Sequence, residues 1–190
     1  MAINLQKGQT INLEKDSFDL TAITIGLGWD VNESTGVDYD LDAFAILCGP
    51  NGKMVNQKSD LVYFKNLEHE SGAVKHTGDN RTGEGEGDDE QIIVKLNSIP
   101  SKYDKIIFCV NIYKGTENKQ HFGNISNSFI RAVDNKSKEI ARYSLNGNEY
   151  TGKTGMIFAE VYRKDANWKF RALGNGADAN YIMDIAKLYI

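Results

Sequence analysis

Apolar and polar residues alternate along most of this chain, in short runs broken by polar turns. Thr21–Trp29, Leu61–Phe64, Gln91–Leu96, Lys105–Tyr113, Ser128–Val133, Glu139–Leu145, Gly155–Arg163 and Trp168–Leu173 are such runs. Their lengths of about 4–9 residues and their β-branched and aromatic content predict strands. Leu41–Cys48 is a short, nearly continuous apolar run. Asp134–Lys138 and Lys164–Asn167 part neighbouring runs by a few polar residues and predict hairpin connections. Helix is scarce. Ser98–Tyr103 suits a single turn, with Ser98 as cap and Pro100 early, and residues 116–122 suit another. Ile182, Ile185, Ala186 and Tyr189 recur at helical spacing within Ala179–Leu188. Short strands joined by explicit turns predict an all-β fold, a two-sheet β-sandwich with a few short helices.

A chain of 190 residues suits one domain spanning 1–190 and buries enough apolar surface to need no disulfide staple. No apolar stretch approaches the ~18 residues of a membrane span. The start, Met1-Ala2-Ile3-Asn4-Leu5, lacks the basic and apolar regions of a signal peptide, so a cytoplasmic protein is expected. Cys48 and Cys109 both lie inside apolar runs. Buried free thiols are the expected state, with a disulfide open if their strands are neighbours.

Charge changes the picture more than composition does. Of 26 acids and 22 Lys and Arg, the segment Asp79–Glu90 holds six acids and one arginine, so the rest of the chain is nearly balanced. The acidity belongs to one loop. That disfavours nucleic acid and favours a cation. The loop reads Asp79-Asn-Arg-Thr-Gly-Glu-Gly-Glu-Gly-Asp-Asp-Glu90. Its three glycines let the backbone curl so that oxygens converge. Calcium takes six to eight oxygens at about 2.3–2.6 Å from carboxylates, amides and carbonyls, and this loop offers all three kinds. Magnesium, with stricter octahedral geometry, is the weaker candidate. The order of residues is not that of an EF-hand, because Arg81 and Glu84 occupy the third and sixth positions. A solvated acidic loop is the plain alternative. A second acidic stretch argues against it. Asp30 follows Gly28-Trp29, and Asp38, Asp40 and Asp42 project to one face of an extended segment, where they repel one another unless a cation intervenes.

His76–Glu90, Gly26-Leu-Gly-Trp-Asp30 and Asp40-Leu-Asp-Ala43 resemble motifs of the TerD family of tellurium-resistance and stress proteins. Phe122-Gly123, Asn127–Arg131, Glu139–Tyr143 and Trp168–Ala172 follow in the family's order, so the resemblance covers nearly the whole chain. It implies a sandwich that binds calcium, one or two ions, through these loops. It also implies a bacterial cytoplasmic stress role among other stress-response proteins. Matching positions make Asp30, Asp40, Asp42, Asp79, Asn80, Glu84, Asp88 and Glu90 the candidate metal residues. Phe44, where the family usually has serine, and Glu86, where aspartate is common, depart from the pattern. The Gly174–Asn180 stretch is also less typical of the family.

The chain is expected not to be an enzyme. A metal-dependent phosphoester hydrolase on the same loops is the main alternative. A calcium-dependent lectin-like module is a third reading, and the sequence offers it no identifiable aromatic platform. No zinc spacing or nucleophile elbow occurs. His76 reads as a surface histidine, with a role in orienting the loop as the alternative. Arg131, Arg142, Arg163, Lys169 and Arg171 read as a solvated face, and Trp29 and Trp168 as core.

Overall fold

The protein is described by a computed structural model covering residues 2–13, 18–31, 39–78, 88–145, 147–165 and 167–190, with the side chains of Asp30 and Val31 excluded. In chain order the strands are β1 (Ile3–Asn4), β2 (Thr10–Asn12), β3 (Ile23–Val31), β4 (Leu41–Cys48), β5 (Leu61–Val62) and β6 (Val74–His76). They continue with β7 (Glu90–Val94), β8 (Lys105–Ile112), β9 (Ile125–Asp134), β10 (Glu139–Ser144), β11 (Gly155–Lys164) and β12 (Asn167–Ala177), and one helix, α1 (Ile182–Ala186), follows. Sheet A has the order β1-β10-β9-β3-β7-β6 and sheet B the order β2-β12-β11-β8-β4-β5. The expected sandwich is therefore present.

Alternation explains the core. Ile23, Ile25, Leu27 and Trp29 of β3 face inward against Leu41, Ala43, Ala45 and Leu47 of β4, and all are buried. Trp168, as expected of it, joins the same core together with Phe170. The unbroken apolar run of β4 has a separate cause, because both of its faces are covered. Phe44, Ile46 and Cys48 point outward into a second cluster with Ile107, Cys109, Ile182, Ile185 and Ala186. The helical spacing at 182–189 thus marks a cover for the outer face of sheet B.

Three strands were not expected from the pattern. β1 and β2 are short and flank a polar turn, yet they seal the open side of the sandwich. β1 pairs with β10 of sheet A and β2 with β12 of sheet B, so one segment closes both edges. β6 pairs with β7 and extends sheet A. Within Ser98–Tyr103 the expected turn is a hydrogen-bonded one, Tyr103 N donating to Pro100 O at 3.0 Å, and a 3-10 turn at Leu96–Ser98 precedes it. Ile99 is extended because the residue before proline avoids the helical region. Around 116–122 the chain makes hydrogen-bonded turns, Asn118 N to Lys114 O at 3.0 Å and Lys119 N to Thr116 O at 3.2 Å, and a 3-10 turn follows at Phe122–Asn124. Both hairpins form as expected. In the first, Asp134 Oδ1 accepts from Lys136 N at 2.9 Å and Lys138 N at 2.8 Å.

Cys48 lies opposite Lys105, and Cys109 lies opposite Phe44. The thiols are therefore four residues apart along adjacent strands, about 13 Å at the usual rise. That is well beyond disulfide reach, and both are free. Burial pushes the Cys48 thiol up to about 12 and raises that of Cys109 as well.

Candidate metal centre and its anchors

One end of the sandwich gathers the acidic residues. β4 begins there with Leu41, and β7 begins there with Glu90. The pairing of β5 reaches β4 only at Ala45 and Ile46, which leaves the edge of Ala43 without a strand neighbour among the described residues. Two side chains of sheet A supply what the missing neighbour would. Glu90 Oε2 accepts from Ala43 N at 2.6 Å, and His76 Nε2 lies 3.1 Å from Ala43 O. Gly78 N donates to His76 Nδ1 at 3.1 Å, so the proton sits on Nε2 and is given to the carbonyl. Glu90 Oε2 is 3.6 Å from the same nitrogen. His76 is 1% exposed, which overturns the surface reading and leaves the orienting one. Its imidazole is spoken for at both nitrogens, and together with Glu90 it bolts β4 to the opposite sheet.

Asp89 holds a different defect. The last pair of β3 with β7 is Leu27 with Glu90, so Trp29 N lies beyond the end of that ladder. Asp89 Oδ2 accepts from Trp29 N at 2.8 Å, while Asp89 N donates to Leu27 O at 2.8 Å. The carboxylate serves as the missing ladder partner.

Asp88 turns to the outer face of sheet A. It accepts from Arg131 Nε at 2.7 Å and from Gln91 Nε2 at 3.2 Å. Its carboxylate rests directly on Gly26, where a Cβ would collide with it. Arg131 also donates to Glu139 Oε2 at 3.1 Å, and Arg142 meets Glu139 through Nε at 3.0 Å and Nη2 at 2.8 Å. Phe129 lies under both guanidiniums, at 4.0 Å for Arg142 and 5.9 Å for Arg131. Asp88 raises the Arg131 pKa further, and Arg142, then Arg131, hold the Glu139 carboxyl below its ordinary value. The basic residues expected on a solvated face are thus largely engaged. Arg171 pairs with the buried Glu160, which Lys105 also reaches at 3.2 Å. Arg163 donates to Ile99 O at 2.7 Å and to Tyr103 O at 3.2 Å.

Asp42 is 7% exposed and leaves the opposite side of β4, the outer face of sheet B. Its cross-strand partner is Asn111 of β8, so the two side chains project together. Asn111 is fully buried and donates through Nδ2 to Asn180 O at 3.4 Å. Its Oδ1, with Trp29 Nε1 and Tyr39 Oη, is buried without a hydrogen-bond partner among the described residues. All three lie at this end of the sandwich. Asp40 is half-buried and accepts through its main-chain carbonyl from Tyr113 N at 2.8 Å. Tyr113 and Tyr181 form an exposed edge-to-face pair beside it, centroids 5.7 Å apart at 74°. The sequence had offered no such aromatic pair, although the tilted rings make no flat platform.

Of the candidate metal residues, Asp40, Asp42 and Glu90 all lie near the start of β4, but Asp42 and Glu90 are on opposite sides of it and do not converge. Asp88 is separate, on the outer face of sheet A. Asp30 is placed by its backbone next to Ser126. Asp79, Asn80 and Glu84 lie outside the described residues. Among the described residues no three His, Cys, Asp or Glu side chains form a metal cluster. The sequence reading missed Asn111, whose signal is an amide inside an apolar strand, and Asp89, whose signal is only its place in the acidic run.

These features define a β-sandwich, with two six-stranded sheets among the described residues and Asp40, Asp42, Asp89 and Glu90 near one end of it. The chain matches the TerD domain family over residues 1–189 and belongs to that family, one of tellurium-resistance and stress-response proteins. It is 46% identical to Tellurium resistance protein TerD of Serratia marcescens, over 93% of this chain and 91% of that relative. It is 44% identical to Stress response protein SCP2 of Bacillus subtilis (strain 168), over 100% of both. Among solved structures it resembles a homologue of telluride resistance protein (TerD), SCO6318 from Streptomyces coelicolor A3(2). The TM-score is 0.70 at 20% identity, over 90% of this chain and 98% of that one, a likeness of fold.

Proposed function

We propose that this chain binds calcium at the acidic end of the sandwich and acts in the stress response as a binding or scaffold module, not as an enzyme. The single observation that carries the reading is the buried Asn111 Oδ1, without a hydrogen-bond donor among the described residues and set beside the Asp42 carboxylate. A buried amide oxygen next to an anion calls for a donor or a cation. An all-oxygen set of carboxylates and amide suits calcium rather than zinc. Asp40, Asp42 and Asn111 are the residues of this chain that would hold the ion, joined by Asp30, Asp79, Asn80 and Glu84. Calcium when bound neutralises the acidic segments and, by binding the folded state alone, stabilises it. The number of ions in this reading is one or two.

Titration calorimetry with calcium tests it. Wild type gives saturable heat, Asp42→Asn weakens binding by at least about tenfold, and apo stability changes little. An Asp42→Asn variant that binds like the parent removes that residue from the site.

The non-enzyme part of the reading draws support from His76, which is committed at both nitrogens and unavailable as a general base. Phosphoester turnover with magnesium, manganese or calcium, abolished by Asp79→Ala, would overturn it. Direct reduction of tellurite is also outside the reading, because buried thiols with raised pKa values are poor nucleophiles. A reducing cytoplasmic setting and assembly with other stress proteins complete the proposal. Nucleic acid has no part in it.

A further inference from the structure

The geometry points to Arg131 as a positioning residue: it holds the C-terminal end of the acidic loop on sheet A through Asp88, and so sets calcium affinity without touching the ion. The inference rests on the calcium reading above.

Three sequence motifs distant along the chain meet at this point. Gly26 supplies a bare floor, because any Cβ there would collide with Asp88. Arg131 supplies the clamp, at 2.7 Å through Nε, and Gln91 adds a second donor at 3.2 Å. Arg131 is itself fixed from behind by Glu139, which Arg142 braces. The Asp88 side chain is 1% exposed, so the carboxylate is inside this setting and not at the solvent edge of it. Asp89 and Glu90 follow with their own attachments, to Trp29 N and Ala43 N. Three consecutive acids therefore act as feet, planted on the outer face of sheet A, on Trp29 N of β3 and on β4. A loop whose exit is held at three points starts each binding event with less freedom to lose, which raises affinity. Of the three feet, only Asp88 depends on a single charged side chain whose removal leaves the backbone ladder intact.

The sign of the effect separates this from the obvious alternative. If Asp88 were a metal ligand held back by Arg131, removing the guanidinium would release it and tighten calcium binding. If Asp88 is a foot, removing the guanidinium loosens the loop and weakens binding.

The experiment uses the full chain and has two arms. In calorimetric titrations, Arg131→Met is expected to weaken calcium binding about 10–100-fold, the range found when residues behind metal ligands are removed. Arg131→Lys recovers part of the loss, and Asp88→Asn combined with Arg131→Met is no worse than either alone. In the second arm, without calcium, limited trypsin digestion is followed by mass spectrometry for cleavage after Arg81. Arg131→Met is expected to speed that cleavage severalfold while cleavage elsewhere is unchanged. Tighter or unchanged calcium binding by Arg131→Met overturns the inference, as does an unchanged rate at Arg81. If wild type takes up no calcium, the calcium reading falls by itself, and the Arg81 rate still decides whether Arg131 anchors the loop. Should Arg131→Met not fold, Arg131→Lys and Gly26→Ala carry the same two predictions.

Discussion

On the outer face of sheet B, Phe44, Ile46, Cys48, Ile107 and Cys109 lie beneath α1 and its neighbours. On the outer face of sheet A, Gly26, Phe129, Arg131 and Arg142 carry Asp88 and Glu139 instead of a helix. Both sheets face the same inner core. The contrast shows a division of labour. Sheet B is covered over β4 and β8, where the second apolar cluster adds stability. Sheet A keeps a polar outer surface of charges tied to one another, and that surface is where the acidic segment is attached.

The largest effect that would test this division is at Phe44. Phe44→Ala removes a fully buried ring and is expected to destabilise by about 3–5 kcal/mol in urea unfolding. The matching truncation on sheet A, Phe129→Ala, removes a half-buried ring under two guanidiniums and is expected to cost about 1 kcal/mol. Equal losses at the two sites would break the comparison. Next is Gly26→Ala, where the added methyl displaces the Asp88 carboxylate. A loss of about 1–3 kcal/mol is expected by the same measurement, together with weaker calcium uptake, while a neutral effect would mean that Asp88 moves aside freely.

A smaller effect concerns pH. Arg142 and Arg131 hold the Glu139 carboxyl below its ordinary value. A depressed carboxylate contributes stability that is present above its unfolded pKa, about 4.3 for glutamate. That contribution is lost as pH falls through the lower folded value. Melting temperatures of wild type and Glu139→Gln should therefore differ most near neutral pH and converge in acid. A gap that is constant across pH would separate the network from stability. The smallest effect is chemical. With thiols buried and their pKa values raised, Cys48 and Cys109 should react with iodoacetamide only after unfolding. Prompt labelling of native protein would show that the cover over sheet B opens.

Most of the strand pattern was legible because an alternating run has one buried face. β3, β9 and β12 show this directly, and Leu41–Cys48 was readable as a strand even though its cover was not. β1, β2 and β6 were not legible, because each is two or three residues long and owes its place to partners far along the chain. The same limit applies to the site. Acidic density in 79–90 marked the region, since like charges at close spacing need an explanation from local sequence alone. The roles of Asp88, Asp89 and Glu90 were hidden because each depends on a distant defect or partner. These are Arg131 across the sheet, Trp29 N beyond the end of the β3–β7 ladder, and the strand edge that β5 leaves uncovered. His76 misled for the same reason, since nothing near it in sequence shows that Ala43 O accepts from its Nε2.

The central claim is that clustered oxygens at the start of β4 hold calcium. It is tested most directly by crystals grown with calcium and measured for anomalous signal. The account predicts a peak beside Asp42 and the Asn111 amide oxygen, with Asp88 still on Arg131. A map with no peak there at saturating calcium, and Asn111 turned to a protein donor, would contradict it.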